Sequence, residues 1–288
     1  MNLIDFILNL AGLLLWLNWR SHRLDPLTYA TPATLVGTIK RTKSNRLSRW
    51  NFLFAVAGLI FFRAWFYLKM GSAVDWTPKL HLGAVVLPFP LARNGQDFFL
   101  AALLFSALSF LRMVLIFYFW LMLVVIINRR VTNPDPIHKF LLLQLGRAAQ
   151  WPPWLQLLTP VITSAVLWLI FYPLLARLGI INWAHSDWHV AGQCAVIGAS
   201  LFLSLKYLLP SLLLLHLIVS YVYLGNSAFW DFVSTTSRNV LFSQPLRAGK
   251  LDLTPVLGLI LTILIFFFPL PQGVHWLLDY FRLTLWPG

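Results

Sequence analysis

Residues 98–127 read FFLAALLFSALSFLRMVLIFYFWLMLVVII, a stretch in which Arg112 is the only charged side chain. A helix needs roughly 20 apolar residues to cross the hydrocarbon core of a bilayer. Because this stretch is longer and almost uncharged, it predicts a transmembrane helix that is tilted or that begins outside the hydrocarbon. The stretch therefore favours a membrane protein before any motif is considered.

Similar apolar stretches recur along the chain. The stretch 191–223 carries Pro210, at which we expect a kink, because proline removes a helical hydrogen bond. The sequence predicts an all-α fold, a polytopic transmembrane helical bundle of about six spans. The five further stretches are Leu3–Trp19, Trp50–Leu68, Leu157–Leu178, Ala191–Tyr223 and Leu253–Leu270.

The composition agrees with a bilayer protein. Hydrophobic residues make up 59% of the chain and charged residues 11%, whereas a soluble domain carries about a quarter charged residues. The formal net charge is +13, and the basic residues lie between the apolar stretches. This arrangement favours anionic lipids at the cytoplasmic face as a partner. We expect no nucleic-acid partner, since the chain lacks a compact soluble basic domain.

The basic residues also predict the orientation, because short cytoplasmic loops carry an excess of Lys and Arg. If the first helix enters from outside, the connections 20–49, 128–154 and 224–252 share one face, which holds most of the basic residues. We therefore predict a multi-pass protein of the cell inner (cytoplasmic) membrane with both termini outside. The opposite face holds Lys69, Lys79, Arg93, Arg177 and Arg282.

An internal repeat organises the chain into three hairpin units. The second unit continues from Asn133 and the third from Asn226, and each passes through an amphipathic segment to a Thr-Pro-Val sequence. Thr159-Pro160 and Thr254-Pro255 predict the first turn of a span, because proline there removes no needed hydrogen bond. The first unit matches only loosely. The predicted units are residues 1–97, 98–190 and 191–288.

The cytoplasmic connections contain apolar residues at helical spacing. This pattern predicts short amphipathic interfacial helices with basic flanks, which lie on the membrane surface or on the bundle. The alternative is a solvated connector packed on its neighbours. The spaced residues are Ile137, Phe140, Leu141, Leu145 and Ala148 in one connection, and Phe229, Phe232, Val233, Thr236 and Val240 in the other.

Four polar side chains interrupt the predicted spans: Arg63, Arg112, Lys206 and His216. Such residues usually face a bundle interior or a water cavity, because a charge at mid-bilayer is costly. We interpret Arg112 and Lys206 as side chains that extend to the membrane boundary. The alternative is a path for anions or lipid headgroups, or a polar seam between units. Asp5 is the one acid in the spans that offers an evident partner.

The sequence favours no catalytic site, cofactor or metal centre. His216 has no second histidine at depth, so we interpret it as a hydrogen-bonded intramembrane histidine. His185 and His189 would share a helix face and could bind zinc with a third ligand, but a polar interfacial loop is the preferred interpretation. Cys194 is the only cysteine. The chain contains no phosphate loop, no paired carboxylates in one span and no nucleophile–base set, so we expect no enzyme.

The third unit carries a more specific pattern: a basic, proline-bearing segment, then glycine, then Asp-Leu-Thr-Pro at the mouth of a helix. The residues are Asn226, Phe232, Arg238, Pro245-Leu246-Arg247, Gly249 and Asp252-Leu253-Thr254-Pro255-Val256. This pattern resembles the repeat of the YggT (YlmG-like) family of integral membrane proteins. The second unit shares the Pro152-Pro153 and Thr159-Pro160 pairs but lacks the Asp. The chain resembles an extended member with a degenerate additional repeat.

The resemblance implies a membrane scaffold, assembly factor or accessory subunit, tied to osmotic or ion homeostasis or to the biogenesis of a membrane complex. Its implied partners are the lipid bilayer and a membrane protein or a second copy of the chain. Small residues such as Gly58, Gly198 and Gly258 would permit close helix contacts. The alternative function is a small-solute or ion transport protein that uses the intramembrane basic residues.

Overall fold

The computed structural model describes most of the chain. The described ranges are 3–23, 49–74, 77–83, 85–89, 98–131, 135–184, 186–222, 225, 227–241, 247–248, 251–252 and 254–280.

Helices dominate the described residues, which confirms the predicted all-α class. The helices are α1 Leu3–Arg23, α2 Arg49–Val74, α3 Phe98–Ile127, α4 Pro136–Leu145, α5 Pro153–Arg177, α6 Asp187–Ala199, α7 Leu205–Tyr221, α8 Ala228–Val240, α9 Thr254–Phe267 and α10 Pro269–Tyr280. Short 3₁₀ segments, Gly146–Gln150 and Ser200–Ser204, join α4 to α5 and α6 to α7. Two antiparallel hairpins complete the elements: β1 Lys79–His81 with β2 Val86–Pro88, and β3 Arg247–Ala248 with β4 Leu251–Asp252.

Within the described part, six helical segments are long and apolar enough to cross a membrane. They follow the six stretches predicted from hydropathy, so the chain is a multi-pass membrane protein. The candidate spans are Leu3–Arg20, Trp50–Lys69, Phe99–Ile127, Pro153–Arg177, Asp187–Tyr221 and Thr254–Gly273.

The Thr-Pro prediction is right for the sixth span and wrong for the fourth. Thr254 and Pro255 are the first residues of α9. Pro160, in contrast, lies inside α5, which begins earlier at Pro153. Pro153 already supplies the favoured proline of the first turn. Inside a membrane helix a second proline is tolerated where Ser or Thr hydroxyls re-satisfy nearby carbonyls, and the Thr159 hydroxyl donates to the Leu155 carbonyl at 2.6 Å.

The fifth span is not one regular α-helix. Pro210 lies inside α7, but the departure from α geometry falls upstream, in the 3₁₀ segment Ser200–Ser204. The Ser200 hydroxyl lies within hydrogen-bond distance of the carbonyl of Ile197 and of that of Leu82 in the β1–β2 hairpin, and its single hydrogen is shared between them. Side-chain hydroxyls therefore accompany the irregular backbone of this segment.

The chain divides into two compact units. The first comprises Met1–Thr77 and Leu91–Met113, and the second comprises Pro78–Pro90 and Val114–Gly288. The division falls within α3 and differs from the three predicted hairpin units of residues 1–97, 98–190 and 191–288, which stay a prediction.

In the first unit, α1 packs against α2, and the start of α3 completes the packing. Gly12 of α1 lies so close to the Phe110 ring that an added Cβ would be 2.8 Å from it. The Ser106 hydroxyl donates to the Ile60 carbonyl at 3.0 Å. Side chains and backbone thus bring three helices into direct contact.

In the second unit, α5 packs against α6, and α7 packs against both α8 and α9. A Cβ at Gly198 would be 2.9 Å from the Val161 carbonyl, so glycine permits the close approach of α6 to α5. Gly258 of α9 likewise lies against Leu241, whereas no atom of the described residues lies within 4 Å of the Cβ position of Gly58. The expected role as small contact residues therefore holds for Gly198 and Gly258 and not for Gly58.

Both predicted amphipathic helices form, as α4 and α8, and they pack against each other. Leu141 and Leu145 of α4 join a hydrophobic cluster with the last turns of α3, against which Phe232 of α8 also packs. Phe140 and Phe229, which belong to the predicted apolar faces, point outward instead. The two helices therefore lie on the bundle, with part of their apolar surface exposed.

Candidate functional site

Arg63 of α2 lies at the centre of a polar network inside the first unit. Its side chain is only 1% exposed. The guanidinium Nη2 contacts the Asp5 Oδ1 at 3.0 Å, in an ion pair, and donates to the Ser109 Oγ at 3.1 Å. Nη1 donates to the Asn9 Oδ1 at 2.7 Å, and Nε donates to the Tyr67 hydroxyl at 3.2 Å. These bonds use four of the five N–H groups that an arginine offers.

The network has a simple helical origin, because residues four apart lie on one face of a helix. Asp5 and Asn9 are four apart on α1, and Arg63 and Tyr67 are four apart on α2. The third helix contributes Ser109 and, four residues before it, a phenylalanine. Three helices therefore each present one such pair to a common point.

Aromatic rings complete the surroundings of the guanidinium. Its Cζ lies 5.4 Å from the ring centroid of Tyr67 and 5.4 Å from that of Phe105. A cation within about 6 Å of a ring face is attracted by the ring quadrupole. The Asn9 amide also donates to the Ser109 hydroxyl at 3.0 Å, which links the polar partners to one another.

We call Asp5, Asn9, Arg63, Tyr67 and Ser109 the arginine cluster. A buried charge is costly unless it is paired and hydrogen-bonded, and the cluster meets both conditions for Arg63. The sequence named Asp5 as the evident partner in the spans, and the structure brings the two together. The sequence analysis did not single out Asn9, Ser109 or Tyr67 as partners of Arg63, although the four-residue spacing of Asp5 and Asn9 was a visible signal.

The other intramembrane candidates have different surroundings. Arg112 is half-buried on α3. Lys206 is half-buried on α7, and its Nζ lies 5.1 Å from the ring centroid of the adjacent Tyr207. His216 is buried on the same helix. Lys206 and His216 are ten residues apart, which is about 15 Å along a helix axis, so they do not form one site.

A second polar network lies in the other unit, at the end of α3. Asn128 is 2% exposed. Its Nδ2 donates to the Thr236 Oγ1 at 2.7 Å, and its Oδ1 accepts from the Asn239 Nδ2 at 2.8 Å. The neighbouring Ser237 hydroxyl donates to the Leu212 carbonyl of α7 at 3.1 Å. We call Asn128, Thr236, Ser237 and Asn239 the asparagine junction; it fastens α8 to α3 and α7 without any charge.

The residues of the family pattern fall into three groups. Arg238 is exposed on α8, and Thr254 and Pro255 are buried at the start of α9. The backbones of Arg247 and Asp252 pair across the β3–β4 hairpin. Gly249 lies outside the described residues, as do Asn226, Pro245, Leu246 and Leu253 of the same pattern. The pattern thus coincides with a short hairpin followed by the beginning of a span.

The histidine pair His185 and His189 is only partly described. His189 lies in the first turn of α6, where its backbone N–H donates to the Ser186 hydroxyl at 3.3 Å. His185 lies outside the described residues. Among the residues that the structure describes, no three His, Cys or Asp side chains form a group that could hold a metal ion.

His138, on the buried face of α4, is a titratable group outside the candidate spans. Burial lowers the pKa of His138 below its ordinary value of 6.5, because desolvation disfavours the imidazolium. The nearby Asp135 carboxylate acts in the opposite direction. The folded chain therefore favours the neutral imidazole at this position.

No family model, no curated protein and no solved structure matches the chain. The resemblance to the YggT family accordingly stays a prediction that rests on the residues of the third unit.

Proposed function

We propose that the chain is a non-catalytic integral membrane scaffold, assembly factor or accessory subunit of the YggT type, with the cytoplasmic membrane as its location. Its role would be to hold a membrane-protein partner or a second copy of itself. A tie to ion homeostasis or complex biogenesis follows from the family resemblance.

The arginine cluster is the observation that carries this proposal. A transport path needs charged groups that a passing solute can reach. Arg63 instead donates to four side chains, two of them on α1, and is almost fully buried. Its charge is paired and hydrogen-bonded by side chains of neighbouring helices, which favours a role in helix association over one in transport.

The exposed surface of α9 supports the same function. Only 11% of the sixth span is buried, against 22% of the fourth. Four large side chains, three along one face of α9 and one directly after its end, are exposed, so this face is open to lipid or to a partner helix. They are Leu257, Leu261, Leu264 and Phe268.

A purification experiment tests the scaffold proposal. The tagged full chain is extracted from its native membrane in mild detergent, and the mass of the particle and the co-purifying proteins are measured. We expect a stable complex larger than the monomer. We expect Leu261→Ala with Leu264→Ala to reduce it, because these side chains form the open face of α9.

The matched control is Ile162→Ala with Val166→Ala on α5, where the side chains are equally exposed; this pair should leave the complex intact. Recovery of the wild-type chain only as a lone monomer would remove the basis for a scaffold. Equal effects of both pairs would reject α9 as the contact face.

A flux measurement tests the alternative of transport. Arg112 and Lys206 are the remaining basic side chains that the alternative would place along a pathway. We expect vesicles with the reconstituted chain to show no anion flux above empty vesicles, and Arg112→Ala or Lys206→Ala to change nothing. Flux that either substitution abolishes would establish transport and reject the scaffold.

A further inference from the structure

The outer face of α4 is unusual for a helix that packs on a protein and faces water. Lys139, Phe140 and Leu143 are exposed on the side opposite the buried face, and the two apolar side chains are each 45% exposed. A water-facing side would be polar throughout. The buried face consists of His138, Leu141, Gln144 and Leu145.

The position of α4 explains where this mixed face lies. After α4, Gly146 with φ of +56° turns the chain into the 3₁₀ segment, and α5 begins at Pro153. The Gln156 Nε2 of α5 donates to the carbonyls of Ala148 and Ala149 at 2.8 and 2.9 Å. The segment after α4 is therefore fastened to the first turn of a candidate span.

Two exposed tryptophans lie at the start of α5, next to the segment that follows α4. Trp151 precedes α5 and Trp154 lies in its first turn, and both are exposed. Tryptophan is enriched at the boundary between hydrocarbon and headgroups. Phe229 of α8, which packs against α4, is exposed as well. The exposed apolar side chains thus lie on elements that adjoin the mouth of a span.

Basic side chains accompany these apolar ones. Arg129 and Arg130 follow α3 directly, beside the asparagine junction that holds α8. Within the described residues, the basic side chains of this region form no ion pair with an acid. The same elements carry only two acids, Asp135 and Asp231. The exposed basic side chains are Arg129, Arg130, Lys139, Arg147 and Arg238.

We propose that α4, the segment Gly146–Gln150, α8 and Arg129–Arg130 form a basic platform that binds the headgroups of anionic phospholipids. The exposed aromatic and aliphatic side chains would insert at the headgroup level, and the five cations would contact lipid phosphates. This inference rests on the proposed membrane scaffold, and it names the lipid that the scaffold's cationic side selects.

Charge complementarity and position together favour lipid as the occupant over a soluble acidic protein. A soluble partner would have to cover Phe140 and Leu143 on the helix that precedes the start of a candidate span. Each basic side chain near an anionic surface contributes about 1 kcal/mol, or about a fivefold gain in affinity. Two or more of the five cations acting together would produce a strong preference.

Native mass spectrometry of the purified full chain tests the platform. The protein in detergent is offered equal amounts of phosphatidylglycerol and phosphatidylcholine with identical acyl chains, and the retained lipids are counted. We expect the wild type to retain phosphatidylglycerol with a preference of about tenfold or more. We expect the five substitutions Arg129→Gln, Arg130→Gln, Lys139→Gln, Arg147→Gln and Arg238→Gln together to reduce the preference to about one.

Lys79→Gln with Arg177→Gln is the matched control. These two basic side chains are exposed in β1 and in the last turn of α5, outside the platform. Their replacement should leave the lipid preference unchanged. An unchanged preference in the five-substitution variant would overturn the proposal, and so would a wild type that retains both lipids equally.

A second measurement reports the depth of α4 independently of charge. In a Cys194→Ser background, Leu143→Cys carries a fluorophore in lipid nanodiscs. We expect stronger quenching by a nitroxide at the headgroup than by one deep in the acyl chain. Absence of quenching by both would place α4 in water and overturn the platform.

The two tests separate this inference from the proposed function. Lipid preference is measured on the pure chain, so it does not depend on any protein partner. A five-substitution variant that keeps its lipid preference but loses a co-purifying protein would assign the basic surface to protein docking. A lone monomer with strong lipid preference would retain the platform and reject the scaffold.

Discussion

The two polar networks of this protein solve different problems. The arginine cluster holds a full charge inside the helices of the first unit, and the described hydrogen-bond partners of Arg63 lie on α1, α2 and α3. The asparagine junction holds α8 to the second unit with neutral amide and hydroxyl groups alone. One network neutralises a charge, and the other fastens an amphipathic helix.

The two networks should differ in how well they tolerate the substitution of a single polar side chain. Removal of one partner from a buried ion pair leaves an uncompensated charge, whereas removal of a neutral partner leaves only an unsatisfied polar group. The first unit should therefore be more sensitive to single polar substitutions than the second. Asp5→Ala and Asn128→Ala test this expectation, and a packing substitution and a pH dependence are expected to have smaller effects.

The largest effect is expected for Asp5→Ala. Loss of the carboxylate leaves the buried guanidinium of Arg63 without its counter-charge, which costs about 3–5 kcal/mol of stability. The measurement is thermal unfolding in detergent, followed by loss of the monodisperse peak. Asp187→Ala, which removes an exposed acid at the start of α6, should leave the transition unchanged.

A double variant sharpens the same point. Asp5→Leu with Arg63→Leu removes the whole ion pair, and apolar replacement of a buried pair is often close to neutral. The double variant should therefore melt above Asp5→Ala. If Asp5→Ala melts with the wild type, the ion pair has no structural role and the comparison between the two networks collapses.

The next effect is expected for Asn128→Ala. This change removes two hydrogen bonds and leaves the fully buried Thr236 hydroxyl without its described donor. The cost should be about 2–4 kcal/mol in total. Asn239→Ala removes only one of these bonds from a more exposed position, so it should cost less in the same unfolding measurement.

A cost for Asn239→Ala equal to that of Asn128→Ala would show that the Asn128–Thr236 bond contributes nothing. A cost for Asn128→Ala above that for Asp5→Ala would reverse the proposed ranking of the two units.

A smaller effect is expected for Gly198→Ala, which extends the comparison from polar contacts to helix packing. The added Cβ would meet the Val161 carbonyl at 2.9 Å and its Cγ1 at 3.1 Å, so α5 and α6 must separate. Overpacking of this kind costs about 1–3 kcal/mol. Gly58→Ala in α2 meets no atom of the described part of the chain within 4 Å, so thermal unfolding should show it to be neutral or slightly stabilising.

The smallest effect is a pH dependence from His138. Its pKa is lower in the folded chain than the ordinary 6.5, so the unfolded chain binds the proton more readily. The resulting stability is complete above pH 6.5 and is lost as the pH falls through 6.5 toward the folded pKa. The wild type should therefore melt lower at about pH 5.5 than at about pH 7.5.

His138→Gln should show a smaller drop between the two pH values, because glutamine does not titrate. An identical drop in both proteins would assign the pH dependence to other groups. It would also show that the packing of α4 on the bundle does not desolvate His138.

Local patterns predicted the local structure well. Hydropathy located all six candidate spans, and helical spacing of apolar residues located α4 and α8. The failure at Thr159-Pro160 has a physical reason: a Thr-Pro pair suits the first turn of a helix, but a membrane helix also tolerates it inside. The alternative start of the fourth span was the Pro152-Pro153 pair just upstream, where α5 begins.

The candidate sites were predictable only in part. Arg63 was singled out because a charge in an apolar run is conspicuous, and Asp5 because it is the acid that lies within a predicted span. The four-residue spacing of Asn9 from Asp5 was the one local signal for Asn9, and nothing local distinguished Ser109 from other polar residues in helices. Thr236 and Asn239 were likewise hidden, because their partner Asn128 lies more than a hundred residues away.

Hydropathy and charge along the chain were enough to predict that apolar segments cross a membrane repeatedly. They were also enough to show that the basic residues are concentrated in the connections between particular spans. These properties depend on the transfer of each segment out of water, which neighbouring segments change little. The side chains that surround Arg63, and the face of α4 that is left exposed, depend on the tertiary structure. Such contacts depend on how each helix is rotated against its neighbours, and that rotation is set by the packing of all of them together.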